Sequence, residues 1–241
     1  MKILITNDDG IDAKGIRLLA KWAKSLGEVT VVAPKVEQSG RSQAIDFVQP
    51  VEIVEVPFMD GVKAYRMSST PADCVRFGVV GLKGHYDLVL SGINYGVNLG
   101  ADIVYSGTVG AIFEAARLKI PAIAFSSFPD EQEEAAKLLS VAYEYITKNN
   151  LFSECLPFNV NVPKNAKGIR MTYQGSPFFS DEFKKLDEGD FYMQMGEPIP
   201  DVEPNDLNRD TVAMRKGFIS ITPLTVFRTD MEVFKKYQTK D

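Results

Sequence analysis

The stretch Met1-Lys2-Ile3-Leu4-Ile5-Thr6-Asn7-Asp8-Asp9-Gly10 decides the fold. Ile3 to Ile5 is an apolar run of the kind that a parallel sheet buries on both faces. It stops abruptly at an amide, two adjacent carboxylates and a turn glycine. In an open α/β sheet, ligands bind beyond the carboxyl ends of the strands, so Asp8 and Asp9 fall where a site is expected. Two carboxylates facing one cleft repel each other unless one is protonated or a cation lies between them. Mg²⁺ or Mn²⁺, with oxygen ligands, removes that conflict. An Asp-Gly after a strand is also a common turn, because Asp bonds its own backbone. The doublet therefore needs partners from elsewhere in the chain.

Working outward, Lys14 to Leu26 places Ile16, Leu18, Leu19, Trp22 and Leu26 at helical spacing and stops at Gly27, and Val29 to Ala33 is a second strand. Strand, helix and strand make a βαβ unit, and such units imply a parallel sheet covered on both faces. Pro34 to Asp46 has no period and reads as a loop on the same rim as the acids; Ser39, Gly40 and Arg41 offer it a hydroxyl, backbone N–H groups and a cation. Val51 to Pro57 and Val62 to Met67 predict two strands around a Met59-Asp60-Gly61 turn. Thr70-Pro71 opens a helix as an N-cap followed by proline.

Leu88 to Leu90 is another apolar strand, ending in Ser91-Gly92-Ile93-Asn94-Tyr95-Gly96-Val97-Asn98. Asn94 can give a neutral oxygen to a metal already held by carboxylates, although an Asn in a turn is equally ordinary. Ser106-Gly107-Thr108 precedes a helix through Leu118, with Ser106 and Thr108 as candidate caps and small residues that leave N–H groups open to a phosphate. Strands are further predicted over Ile120 to Phe125, Phe158 to Val162, Gly168 to Thr172 and Gly217 to Thr222. Asp130 to Asn149 reads as one long helix, and Asp230 to Tyr237 as a short one. Gly175 to Arg215 lacks an apolar period and reads as an extension with a hairpin around Met195-Gly196-Glu197.

With 241 residues, 45% apolar and 24% charged, the chain has the composition of an ordinary globular domain. A net charge of −5 without a basic patch argues against a nucleic-acid polymer as partner but leaves room for a nucleotide. No apolar stretch is long enough for a bilayer. The N-terminus lacks a signal pattern, and Cys74 and Cys155 form no CxxC, so no membrane and a cytoplasmic location are expected.

Several chemistries drop out. The only histidine, His85, precedes a strand, which removes a Ser-His-Asp triad or a histidine-rich zinc site. There is no GxxxxGK(S/T) loop and no GxGxxG after the first strand. A phosphoacceptor receiver domain also carries paired acids, but Ser91 stands where its acceptor Asp is required. What remains is a hard-metal site beside an anion-binding helix start, which suits phosphate-ester hydrolysis.

Asn7-Asp8-Asp9-Gly10, Ser39-Gly40, Thr70-Pro71-Ala72-Asp73-Cys74-Val75, Ser91-Gly92-Ile93-Asn94 with Asn98-Leu99-Gly100, Tyr105-Ser106-Gly107-Thr108-Val109 and Gly217 to Leu224 together resemble the SurE family of survival-protein phosphatases. The resemblance implies a Rossmann-like three-layer α/β/α core with a mostly parallel sheet. It implies a metal-dependent nucleotidase acting on nucleoside 5′- and 3′-monophosphates, and also on short polyphosphate. Asp8, Asp9, Ser39 and Asn94 carry over as ligands of one divalent cation, Mg²⁺ or Mn²⁺. Asn7, Gly40, Asn98, Ser106, Gly107 and Thr108 carry over to the substrate's phosphate. Asp8 or Asp9 is the group expected to take a proton from water. The chain is expected to be one domain over residues 1–241, with residues 175–215 as a hairpin extension and 225–241 as a tail that exchanges between subunits in a homodimer or homotetramer. The alternatives from other classes are a nucleotide-sensing module of the same fold without turnover and an assembly scaffold.

Overall fold

The computed structural model describes residues 1–154 and 157–238, so Cys155 and the last three residues of the expected tail lie outside it. Its centre is β1 (Lys2–Thr6), whose side chains alternate between two cores: Ile3 and Ile5 enter one, Leu4 the other. β1 pairs in parallel with β2 (Glu28–Pro34) on one side and β5 (Leu88–Tyr95) on the other. Beyond β2 lie β4 (Lys63–Met67) and, antiparallel to it, β3 (Ile53–Glu55). Beyond β5 follow β6 (Ala122–Ser127) and β7 (Pro157–Asn161), both parallel, then the antiparallel β11 (Ile219–Pro223), which pairs with β8 (Ile169–Met171). The sheet is parallel except at β3–β4 and β7–β11, in the order β3-β4-β2-β1-β5-β6-β7-β11-β8. The chain leaves β1 toward β2 and returns to its other side at β5, so the switch point lies between β1 and β5.

Helices cover both faces. On one side α1 (Lys14–Ala23) buries Ile16, Leu19, Ala20 and Ala23 against β1, together with α4 (Gln132–Ala136) and α5 (Leu139–Lys148). On the other, α2 (Pro71–Arg76) and α3 (Gly107–Arg117) pack Cys74, Val75, Val109, Ile112 and Ala115 on Leu4, Val32 and Val89. Thr70 caps α2 by accepting the Asp73 N–H at 3.2 Å, as its Thr-Pro opening predicts. The three-layer, mostly parallel α/β arrangement expected from the sequence is the one observed.

Three expectations need correction. The helix expected over Asp130 to Asn149 is two: the Lys137 and Leu138 N–H groups bond to the carbonyls three residues back, a tightened turn that separates α4 from α5. Ala135, Leu139, Ala142 and Ile146 join one core across the break, which is why periodicity alone misses it. The hairpin does not turn at Met195-Gly196-Glu197. Its strands, β9 (Glu182–Lys185) and β10 (Tyr192–Met195), are joined across Leu186 to Phe191, and Gly196 lies at the foot, beside the Phe179–Pro198 bridge. The end of the aperiodic stretch is helical: α6 (Asp210–Arg215) buries Val212, Ala213 and Met214, too short a run to show a period. A further helix, α7 (Met231–Tyr237), is capped by Asp230, whose carboxylate accepts the Glu232 and Val233 N–H groups.

Candidate active site

Beyond the last β1–β5 pair, Thr6 with Ser91, both acids are caught by neighbouring elements. Asp9 Oδ2 accepts the Tyr95 N–H at 3.0 Å, which ties it to the end of β5. Asp8 is 4% exposed and turns toward α3. Its Oδ2 accepts the Thr108 N–H at 3.1 Å and its Oδ1 the Thr108 hydroxyl at 2.5 Å. Gly107 makes this approach possible, since a Cβ there would lie 3.0 Å from both Asp8 Cβ and Oδ2. The Gln38 N–H donates to the Asp8 carbonyl at 2.7 Å and brings the loop after β2 alongside.

That loop is seated rather than loose. The Ser42 N–H donates to the Tyr105 carbonyl at 2.9 Å and its hydroxyl to the Val104 carbonyl at 2.8 Å. Gln43 Nε2 donates to Glu114 on α3 at 3.0 Å, and a Cβ on Gly110 would come within 2.0 Å of the Ser42 oxygen. Ser39 is held at the rim, its hydroxyl donating to Glu37 at 2.6 Å.

β5 runs on past the apolar stretch to Tyr95, with a register shift against β6 between Gly92 and Asn94. Asn94 Nδ2 is spent on the Gly96 carbonyl at 2.9 Å, which leaves its carbonyl oxygen as the end available for ligation. Asn98 is held by a rack of buried polar groups on β6 and β7. Its N–H donates to Asn161 Oδ1 (2.9 Å), its carbonyl accepts from Asn159 and Asn161 Nδ2 (2.8 Å each), and its own Nδ2 donates to Ser126 Oγ (2.8 Å).

Asp8, Asp9, Ser39, Gly40, Asn94, Asn98 and Ser106 all line one cavity of about 1460 Å³ at the strand ends. Asn7, Gly107 and Thr108 are buried and stand behind its wall. Asn7 Nδ2 closes the turn on the Gly10 carbonyl at 2.8 Å. Ser106 caps α3 by accepting the Val109 N–H at 3.1 Å, whereas Thr108, the other candidate cap, commits its hydroxyl and N–H to Asp8 instead.

The electrostatics follow the burial. Burial, then the neighbouring Asp8 charge, pushes Asp9 from 3.8 up to about 6. Burial also raises Asp8, against the lowering effect of its Thr108 bonds. Glu37, a third carboxylate at the cavity, adds to both. An unshared pair of acids held this way favours a proton or a cation between them. Among the described residues no three acidic, histidine or cysteine groups converge on a metal. The donors at hand are all oxygens, two carboxylates with a hydroxyl and an amide, the set that suits a hard cation.

The family model for survival protein SurE matches residues 3–181. The chain belongs to the SurE family. A 5′-nucleotidase SurE from Caldanaerobacter subterraneus subsp. tengcongensis is 39% identical over 245 residues, covering 97% of this chain and 95% of that protein. One from Thermoanaerobacter pseudethanolicus is 41% identical over 233 residues, covering 93% and 92%. The crystal structure of the SurE protein from Aquifex aeolicus superposes with a TM-score of 0.83 at 34% identity, over 99% of this chain and 98% of that one.

Sequence reasoning missed the groups that hold these residues in place: Thr108 as the partner of Asp8, the Tyr95 N–H on Asp9, Glu37, and the rack under Asn98. One signal was present. Asn159 and Asn161 alternate at period two in a strand otherwise apolar, Phe158 to Val162, so both amides share a face and needed a partner.

Proposed function

We propose that this chain is a divalent-metal-dependent phosphomonoesterase that hydrolyses nucleoside 5′- and 3′-monophosphates to nucleoside and phosphate, with short polyphosphate as a further substrate. The observation that carries the reading is the convergence of Asp8, Asp9, Ser39 and Asn94 on one cavity, with Asp8 buried beside a half-buried Asp9 that is pushed up to about 6. The relatives named 5′-nucleotidase SurE, matched over nearly their whole length, support the reaction.

Asp8, Asp9, Ser39 and Asn94 would hold one Mg²⁺ or Mn²⁺. A cation there would polarise a phosphoryl oxygen and acidify a water. Thr108 holds both oxygens of Asp8, so Asp8 keeps one orientation in the fold. Asp9 has one oxygen on the Tyr95 N–H and is the more exposed of the two, so it is the acid that receives the water's proton. Gly40, Asn98 and Ser106 line the cavity wall and would face the phosphoryl group, while Asn7, Gly107 and Thr108 act from behind it by closing the turn and packing α3 on Asp8.

Assembly into a homodimer or homotetramer is part of the proposal. Phe183 and Phe191 on the hairpin, with Phe227 and Tyr237 in the tail, expose more than half of their surface. The partner is a nucleotide rather than a nucleic-acid polymer or a membrane. No helix among the described residues is long and apolar enough to cross a bilayer. A cytoplasmic location fits Cys74, buried and unpaired, with its thiol pushed above its usual range by burial.

The test is phosphate release from AMP with Mg²⁺ or Mn²⁺, with and without chelator. Asp9→Asn abolishes chelator-sensitive release while the circular dichroism spectrum is unchanged; undiminished release overturns the assignment.

A further inference from the structure

The cavity is larger than the roughly 300–1,000 Å³ of most small-molecule sites, and away from the acids aromatic rings wall it. We infer that this part is a nucleobase subsite, in which Phe128 and Phe179 form the stacking surface and Asp102 positions the Phe178-Phe179 pair. The inference rests on the nucleotidase reading and names the part of the substrate that the acids do not touch.

Phe128, Phe178 and Phe179 line the same cavity as Asp8 and Asp9. They are not loose surface aromatics. Asp102, in the 3₁₀ turn Gly100–Tyr105, accepts two consecutive N–H groups on its Oδ2: Phe178 at 2.8 Å and Phe179 at 3.0 Å. Phe178 is 5% exposed and sits in a small separate core with Leu99 and Met214, against Val97 and Phe128. The Arg215 guanidinium lies 4.4 Å from its ring centroid and donates to the Ile199 carbonyl at 2.6 Å. Phe179 stands edge-on to Phe178, with centroids 5.0 Å apart, and remains 41% exposed. A second acid, the buried Asp210, joins the same two segments by accepting the Gly100 N–H at 2.9 Å and the Gly175 N–H at 2.8 Å.

A ring fixed through its backbone and its packing partner loses little freedom when a ligand stacks on it. Every nucleobase has a π-face, and one base on one aromatic side chain is worth about fivefold or more in affinity. Ribose and phosphate have no such face. At the foot of the hairpin, Asp181 and Gln194 line the same cavity and meet at 3.3 Å, an acceptor and an amide placed for a base edge.

The experiment measures equilibrium binding of adenosine, which has no phosphate to be cleaved, with ribose as the non-aromatic control. Adenosine is expected to bind the wild-type chain saturably and Phe179→Ala at least fivefold more weakly, with ribose failing to compete; Phe128→Ala shifts the same way. Asp102→Ala is expected to weaken adenosine binding while leaving Mn²⁺ affinity in place, and Asp102→Asn, whose amide oxygen still accepts both N–H groups, restores it. A general loss of structure would lower both affinities together and would overturn the role of Asp102. Equal adenosine affinity in the wild type and Phe179→Ala, or no adenosine binding at all, overturns the subsite. Phosphate release from AMP is measured on the same preparations. Release with adenosine indifferent to Phe179 sinks the subsite alone, whereas adenosine binding through Phe179 without any release sinks the phosphatase reading alone.

Discussion

Replacing Asp9 by Asn is expected to stabilise the protein without metal and to destabilise it, relative to wild type, with metal. In the metal-free fold, Asp9 holds its proton up to about pH 6 because ionising it means burying a second negative charge beside Asp8. Its unfolded value is 3.8, so the folded state binds the extra proton between those two values, and stability falls as pH rises from about 4 to about 6. Above that the penalty is complete. At about 1.4 kcal/mol per pH unit the full displacement corresponds to about 3 kcal/mol; because Asp9 is only partly buried, solvent screening reduces this to about 1–2 kcal/mol. Asn removes the charge, and its side-chain oxygen can still accept the Tyr95 N–H. At about 2–4 °C per kcal/mol for a chain of this size, the variant melts a few degrees above wild type at pH 7.5 in chelator, and the gap closes at pH 4. With Mn²⁺ at a hundredfold over its dissociation constant, wild type gains about 2.7 kcal/mol by mass action and the variant does not, so the order of melting reverses. Differential scanning calorimetry in the four conditions reads this directly. A variant that melts below wild type in chelator, or that gains equally from metal, would falsify the account of paired acids awaiting a cation.

Thr108→Val removes the hydroxyl from Asp8 and keeps the backbone bond, so Mn²⁺ affinity is expected to fall about tenfold, as for other groups that orient a ligand, in a titration of the folded protein. Asn161→Leu orphans the Asn98 N–H and weakens the hold on its carbonyl, and is expected to slow phosphate release at least tenfold with Mn²⁺ affinity little changed; a proportional loss of both points to unfolding instead. Gly110→Ala drives a methyl into the Ser42 carbonyl and is expected to cost about 1–3 kcal/mol in urea denaturation, with activity falling as the Ser39 loop is displaced. Deleting residues 184–193, which spares Asp181 and Gln194 at the cavity, is expected to lower the oligomeric state in light scattering while phosphate release persists; an unchanged oligomer removes the hairpin tip from the interface.

The fold was legible because parallel strands buried on both faces read as near-continuous apolar runs. Ile3 to Ile5 and Leu88 to Leu90 are apolar throughout and Val29 to Ala33 is apolar but for Thr30, and the β1-α1-β2 unit follows from them. The rim was legible for a related reason, since polar residues at the ends of such strands are conspicuous: Asp8, Asp9, Ser39 and Asn94 all reach the cavity. What the sequence hid was long-range pairing. Nothing local says that Thr108 faces Asp8 a hundred residues away, or that Tyr95 offers its N–H to Asp9. The break between α4 and α5 hid because apolar residues on either side of it join one core, and α6 was too short to display a period. The hairpin was misplaced because Gly196 looks like a turn residue, whereas it stands where a Cβ would press within 2.5 Å of the Ser180 carbonyl at the hairpin's foot.

Asp8 and Asp9 follow directly on β1 in sequence, yet their orientation belongs to α3 and β5, through Thr108 and the Tyr95 N–H. The site is therefore not portable with the segment that carries its acids. A βαβ fragment of residues 1–34, or a graft of the Asn7-Asp8-Asp9-Gly10 turn onto another parallel sheet, would bring both carboxylates and neither of the groups that aim them. The shortest stretch that carries both acids with the groups that aim them runs to the first turns of α3, nearly half the chain, and it still lacks the Ser126, Asn159 and Asn161 side chains that hold Asn98.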